Sequence, residues 1–519
     1  MSSVSSGDNE QTPLQQITQP FIDLVHAPRA LWGINLAYFL EGWVYFGMLG
    51  YLAIHFSDFV FRGVPNPDVN SHHMVMVLTA GITISMFFFG SVADKKGVRT
   101  TLIWAFLLLL AGRIVWSAAP LVFPQTGLWS GMHLMTMAGI LLVVMGYGLY
   151  QPAAYAGERQ FTNPKTAPMG YAMLYALMNL GGWLPTFFTF VRERIGITGA
   201  FWVYTGLTVL GLLSTWLILT PRVEREAIAR AERERKELEA AASKPKEAAP
   251  TAAEQAALDA SRRVPFHMWA TLTVVAACGL LAPKPFGYGL AAALLAIVVL
   301  LAFGGGFVRK ATVWLANHPL SDVKFFFFIF ALIPVQTLFT YNWLILPQYL
   351  ERAFQGGFVS QRFEVFSNLN PILIFIAVPM VAALTQKKNV YGMMILGTFV
   401  MALPAFFLAF STSLVSLLAF LLVMTLGEAM WQPRFLQYAA EIAPEGRTGA
   451  YMGVAQFPWF LTKMLVPLYS GLALQKYVPA EGHQDPQRMW LIFAVVAMVS
   501  PVLLVVAKGW VGKDFKTKA

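Results

Sequence analysis

The sequence predicts an all-α integral membrane protein of about fourteen transmembrane helices, two six-helix bundles plus a two-helix insert, at ~20 apolar residues per span. Three observations carry this. The 519-residue chain is 57% hydrophobic and 12% charged, where a soluble globular chain carries roughly 25% charged residues. Its mean hydropathy is +0.58. Its apolar runs are long enough to cross a bilayer and fall into two sets, separated by a strongly charged segment.

In chain order, residues 1–29 form a polar, acidic tail without the basic start and short apolar stretch of a cleavable signal. Residues 30–220 hold the first bundle, with spans expected at 30–56, 73–93, 100–119, 132–156, 168–191 and 199–220. Residues 221–265 are rich in Glu, Arg, Lys and Ala and read as a charged cytoplasmic linker, part helix and part tether. Residues 266–310 hold the inserted pair, with spans expected at 267–282 and 288–308. Residues 311–519 hold the second bundle, with spans expected at 325–350, 365–385, 391–410, 413–439, 448–474 and 489–506.

Orientation follows from the cations between spans. Lys95, Lys96, Arg99, Lys165, the 221–265 segment, Arg309, Lys310, Lys387, Lys388 and Arg447 fall on one side, whereas the other side is sparse. Both termini are therefore expected in the cytoplasm, with the chain multi-pass in a cell (inner) membrane. The same bias accounts for the formal charge of +10 without nucleic-acid binding. A single cysteine, Cys278, rules out an intrachain disulfide.

Gly90, Asp94, Lys95, Gly97 and Arg99 join the second and third spans in a pattern similar to the G-x-x-x-D-(R/K)-x-G-x-(R/K) loop of the major facilitator superfamily. Glycines permit the tight turn and Asp94 can cap a helix and pair with a cation, a conformational latch. Two six-helix halves fit that superfamily as well.

Several stretches resemble the proton-dependent oligopeptide transporters (the POT/PTR family). Glu41-Gly42-Trp43-Val44-Tyr45-Phe46-Gly47 is similar to E-R-F-x-Y-Y-G. Gly146 to Pro152, with Gly157 to Phe161, is similar to G-x-G-x-x-K-P…G-D-Q-F. Tyr175 to Gly181 is similar to F-Y-x-x-I-N-x-G, Asn368 to Pro371 to L-N-P, and Leu426 to Pro433 with Ile442 to Pro444 to L-G-E-x-x-x-x-P…L-A-P. An extra helix pair between the halves also occurs in bacterial members.

The resemblance implies a peptide amino end held by Glu428, Asn179 and Asn370. Chemistry agrees, because an ammonium offers three donors and one carboxylate with two amide oxygens can accept them. It also implies cations for the peptide carboxylate, but those positions are Gly42 and Gln151. The first acid of the first-helix element falls on Tyr38. The acid of a seventh-helix acid–Gln pair falls on Val335, leaving Gln336.

Lone acids at Glu41 and Glu428, each inside an apolar run, are costly in lipid and point to proton coupling. Two isolated cations, Arg113 and Lys463, also sit within spans. Lys463 is expected to pair with Glu428 or to meet an anionic substrate group, and Arg113 to snorkel outward or supply a missing cation. Tyr45 has the strongest aromatic claim on a cavity. The expected substrate set is thus Tyr45, Gln151, Asn179, Gln336, Asn370, Glu428 and Lys463.

The functional expectation is a proton-coupled symporter of a small amine-bearing solute, such as a short or modified peptide, working by alternating access. Alternatives are a proton-coupled exporter of drug-like amines and a non-transporting membrane sensor. No metal-ligand spacing, nucleophile–base set or phosphate loop appears, so neither an enzyme nor a cofactor or metal is expected. The expected partners are the solute, protons and the lipid bilayer, with the chain a monomer.

Overall fold

The computed structural model describes residues 29–89, 92–162, 167–241, 263–278, 280, 286–303, 307–385, 388–442, 451 and 454–511. All regular structure among them is helical. The first bundle comprises α1 (Arg29–His55), α2 (Pro67–Phe89), α3 (Val98–Val122), α4 (Gly131–Phe161), α5 (Ala167–Trp183) and α6 (Thr189–Ile218). The linker forms α7 (Pro221–Ala241), and the insert forms α8 (Phe266–Cys278) and α9 (Phe286–Phe303). The second set comprises α10 (Ile333–Leu344), α11 (Leu369–Thr385), α12 (Val390–Ala402), α13 (Leu414–Ile442), α14 (Phe457–Tyr477) and α15 (Pro486–Val506).

Among the described residues, eight helices are long and apolar enough to cross a membrane, or nine if Ala291–Phe303 and Val308–Ala316, inclined at 87° to each other, are one span. About fourteen spans were expected from apolar runs of ~20 residues; the runs at 168–191 and 199–220 join in one candidate, Ala176–Ile218, and the run at 365–385 gives a shorter apolar helix, Phe363–Val378. The run at 325–350 is three helices, Val323–Ala331, α10 and Leu346–Ala353, which restart just before Pro334 and Pro347. The run at 391–410 breaks into α12 and Ala405–Phe410 at Pro404. Proline lacks the donor for the preceding turn and disfavours helix before itself. Gly196 (φ +70°) similarly kinks α6.

Small residues bring helices together. A Cβ on Gly112 of α3 would lie 2.7 Å from the Gly139 carbonyl of α4, and one on Gly139 equally close to the Gly112 carbonyl. Such contacts replace the hydrophobic force that lipid cannot supply. In the second set, Gly427 of α13 lies flush against the Met401 backbone of α12. The two sets meet where α2 packs on α14, α5 on α11 and α1 on α10.

The linker helix fixes one pole of the molecule. Helix α7 packs on α1, α3 and α4 and buries Ala227 and Ala231. Its Glu224 carboxylate accepts from the Arg99 backbone N–H at 3.0 Å, and Arg230 donates to the Phe161 carbonyl at 3.3 Å. We call this the linker end. Within the expected latch, Gly97 has φ +85° and Lys95 and Lys96 are exposed, whereas Gly90 and the Asp94 side chain lie outside the described residues.

Gly427→Ala places a methyl 2.2 Å from the Met401 nitrogen and should destabilise the protein by ~1–3 kcal/mol. Gly206→Ala, with open space around its Cβ, should be neutral or stabilising by up to ~1 kcal/mol. Thermal unfolding in detergent compares the two.

Candidate functional site

Four helices of the first set converge on Glu41, which is 1% exposed on α1. Arg113 of α3, 2% exposed, donates from Nη1 to Glu41 Oε2 at 2.9 Å and from Nη2 to Oε1. Nη1 also donates to Thr208 Oγ1 of α6 at 2.7 Å, and Nη2 to the Tyr147 hydroxyl of α4 at 3.1 Å. Tyr147 in turn donates to Glu41 Oε1. Arg113 therefore does not snorkel outward. It forms a bidentate, fully buried pair with an acid that would otherwise be stranded, the arrangement in which buried charges are tolerated. Tyr45 stacks edge-on against Tyr147 with ring centroids 5.3 Å apart. Both rings and Arg113 border a small void.

The second set holds its own acid. Asn370 of α11 donates from Nδ2 to Glu428 Oε2 of α13 and to Thr425 Oγ1, both at 3.0 Å. All three residues are buried. Among the described residues no cation touches Glu428, so the expected Lys463–Glu428 pair does not form. The Lys463 ammonium instead lies 3.9 Å from the centre of the Trp459 ring, one turn earlier on α14. Asn179 is half-buried on α5, the helix packed on α11. Gln336 is 1% exposed on α10, and neither of its amide atoms has a partner.

Half-buried Gln151 is hydrogen-bonded to Tyr38, whose ring stacks on Tyr150 with centroids 5.7 Å apart. A neutral Tyr–Gln contact thus occupies two positions where the family resemblance implies an acid and a lysine. The structure joins Asn370 to Glu428 and Glu41 to Tyr147. Glu41 and Glu428 lie in separate networks, one in each set.

Two further clusters, at the end away from the linker, tie the sets together. Arg352, after α10, pairs with Asp68 at the start of α2 through two bonds of 2.7 and 2.8 Å. Asp68 also accepts from Ser57 at 2.9 Å. His72 bridges Gln348 (2.9 Å) and Ser470 of α14 (2.5 Å). In the second cluster, Glu364 accepts from Tyr51 at 3.0 Å, from Thr189 at 3.2 Å and from Arg192. Sequence reasoning missed these groups as partners. Their only signal was a few charges and a His pair at helix ends, and Asp68 and Arg352 stand 284 positions apart.

With this geometry in place, comparison with solved structures is informative. PepTSo, described as a POT family transporter, aligns at TM-score 0.64 and 16% identity, over 95% of this chain and 99% of that one. An auto-inhibited POT family peptide transporter aligns at 0.65 and 15%, over 94% and 98%. A peptide transporter POT in complex with sulfate aligns at 0.62 and 17%, over 94% and 96%. The chain therefore has the fold of the POT transporters, a major facilitator fold. No protein-family model matches the sequence, and no curated protein does.

Removing one partner of a buried pair strands the other. Arg113→Met should cost ~3–5 kcal/mol, and adding Glu41→Gln should recover a large part of it, as read by thermal unfolding in detergent.

Burial, with the Asp58 carboxylate nearby, raises Glu351 to about 7. Its contribution to stability is fully present below the ordinary carboxylate range and is lost as pH rises through about 7. Glu351→Gln should therefore flatten the pH dependence of unfolding between about pH 5 and 8, the range bounded by the ordinary carboxylate value and the raised one of about 7.

Proposed function

We propose that this chain is a divergent proton-coupled transporter of the oligopeptide transporter type, moving a small amine-bearing solute such as a short or modified peptide by alternating access. The fold and the peptide transporters that share it support transport. The observation that carries the finer reading is the contrast between the two buried acids. Glu41 is neutralised by Arg113, whereas Glu428 has an amide and no cation. A buried carboxylate without a counter-ion draws in a proton or an ammonium. A solute amine docked on Glu428 and Asn370, with Asn179 opposite on α5, satisfies both charges. Protonating Glu428 withdraws that attraction and releases the solute.

Gating follows from the far-end clusters. Asp68–Arg352 and Glu364–Arg192 join the sets, as do the His72 bonds to Gln348 and Ser470, all toward the far end. This supports a state closed at the far end. With the linker end cytoplasmic, it is an inward-facing state of an inner-membrane protein. Solute uptake then requires these clusters to part while contacts form at the linker end, where the Gly90–Arg99 loop lies.

The test is a proton flux assay. Purified protein is placed in liposomes holding a pH-sensitive dye, and dialanine is added outside. The expected result is acidification of the interior, reduced about tenfold or more by Glu428→Gln, the scale of a lost charge-assisted contact. No acidification with the unaltered protein, or an unchanged rate in the variant, would overturn the reading.

A further inference from the structure

Lys463 is the outlier among the intramembrane charges. Arg113 spends its guanidinium on Glu41, Thr208 and Tyr147. Lys463 has no hydrogen-bond or ionic partner among the described residues, only the face of Trp459. The face of an indole attracts an ammonium but carries no net negative charge, so the lysine has no counter-ion there. Lys463 itself is half-buried.

Its surroundings are unsatisfied in the same sense. The Trp459 indole N–H is buried without an acceptor. Helix α10 packs against α14, and its Phe339 meets Trp459 with ring centroids 5.5 Å apart. Gln336 stands three residues before Phe339 and Lys463 four after Trp459. Those spacings put each pair on one helix face, so the Gln336/Phe339 face of α10 opposes the Trp459/Lys463 face of α14. Gln336 contributes an amide with neither atom bonded, and Thr340, one turn on, a buried hydroxyl that is also unbonded. Unpaired buried polar groups cost about 1–3 kcal/mol each, and several together around one cation are the makings of a site for an anion.

The location suits a solute path. Thr79 of α2 donates to the Lys463 carbonyl at 3.1 Å, so Lys463 lies on the seam between the sets. Helix α10 likewise borders α1 across it.

We propose that Lys463, Gln336 and the Trp459 indole N–H form an anion subsite in the second set, which receives the acidic group of the solute. This rests on the transport reading above and deepens it. The solute then carries both an amine, toward Glu428, and a carboxylate or similar anion, toward Lys463. Both ends dock on the second set, since the Arg113 guanidinium of the first set is already committed to Glu41.

The experiment is a thermal-unfolding titration of the full chain in detergent with millimolar sodium sulfate, at ionic strength held constant with sodium chloride. The expected result is a saturable shift specific to sulfate. Lys463→Met should weaken half-saturation about tenfold or more, while Lys463→Arg should retain the response. Absence of a saturable shift in the unaltered protein, or an unchanged response in Lys463→Met, would overturn the proposal. If Lys463→Met does not yield monodisperse protein, Gln336→Ala and Trp459→Phe decide. A weakened response supports the subsite, and a full one removes it. Sulfate has no amine, so this titration is blind to proton-coupled uptake. A silent dialanine assay with a positive sulfate titration refutes the transport reading alone, and the reverse refutes the subsite alone.

Discussion

The bidentate bond between Arg113 and Glu41 anchors the first bundle. A carboxylate in the middle of an apolar helix is costly unless a donor reaches it from a neighbour, and at Glu41 that donor is a cation that must itself be held. Here α1 supplies the acid, α3 the guanidinium, α4 a phenol and α6 a hydroxyl. The backbones of α3 and α4 approach through Gly112 and Gly139, the first adjacent to Arg113 and the second about two turns before Tyr147. Helix packing and charge neutralisation are therefore the same structural event. Without close backbones the phenol would not reach the pair, and without the pair the apolar helices would carry a stranded charge.

Much of the architecture was legible in the sequence because lipid imposes a simple rule: backbone groups must be satisfied within a helix, so spans appear as apolar runs. The places where runs and helices disagree are those where proline or glycine breaks a run that hydropathy averages over, as at Pro334, Pro347, Pro404 and Gly196. The candidate site was legible unevenly. The Asn370–Glu428 contact follows from motif positions on two helices. The partner of Glu41 did not, since Arg113 could equally have reached toward the membrane surface, and only the three-dimensional crossing of α1 and α3 decides between them. The far-end clusters were opaque because each partner sits at a helix end, where a charge needs no explanation.

The departures from the family pattern form a coherent set. Where the resemblance implies a charged contact between the first and fourth helices, Tyr38 and Gln151 touch as neutral groups. Where it implies a first-helix arginine, Gly42 packs against Met178 of α5 and the guanidinium comes from α3 instead. The charge lost at Tyr38 is matched by the charge lost at Gln151, and the one lost at Gly42 by the Arg113 guanidinium on Glu41. Changes of this kind alter which solute group a cavity can hold while leaving the scaffold intact.

His72 ties proton position to the geometry of the closed far end. The amide nitrogen of Gln348 is committed to Ser57 and Asp68, which turns its oxygen toward the imidazole. That oxygen can only accept, so Nε2 of His72 must hold the hydrogen and Nδ1 must accept from Ser470. The direction of every bond from Arg352 to α14 is thus set in sequence. A second hydrogen on the ring would face the Ser470 hydroxyl hydrogen head-on, so the serine would have to rotate away or α14 would have to yield.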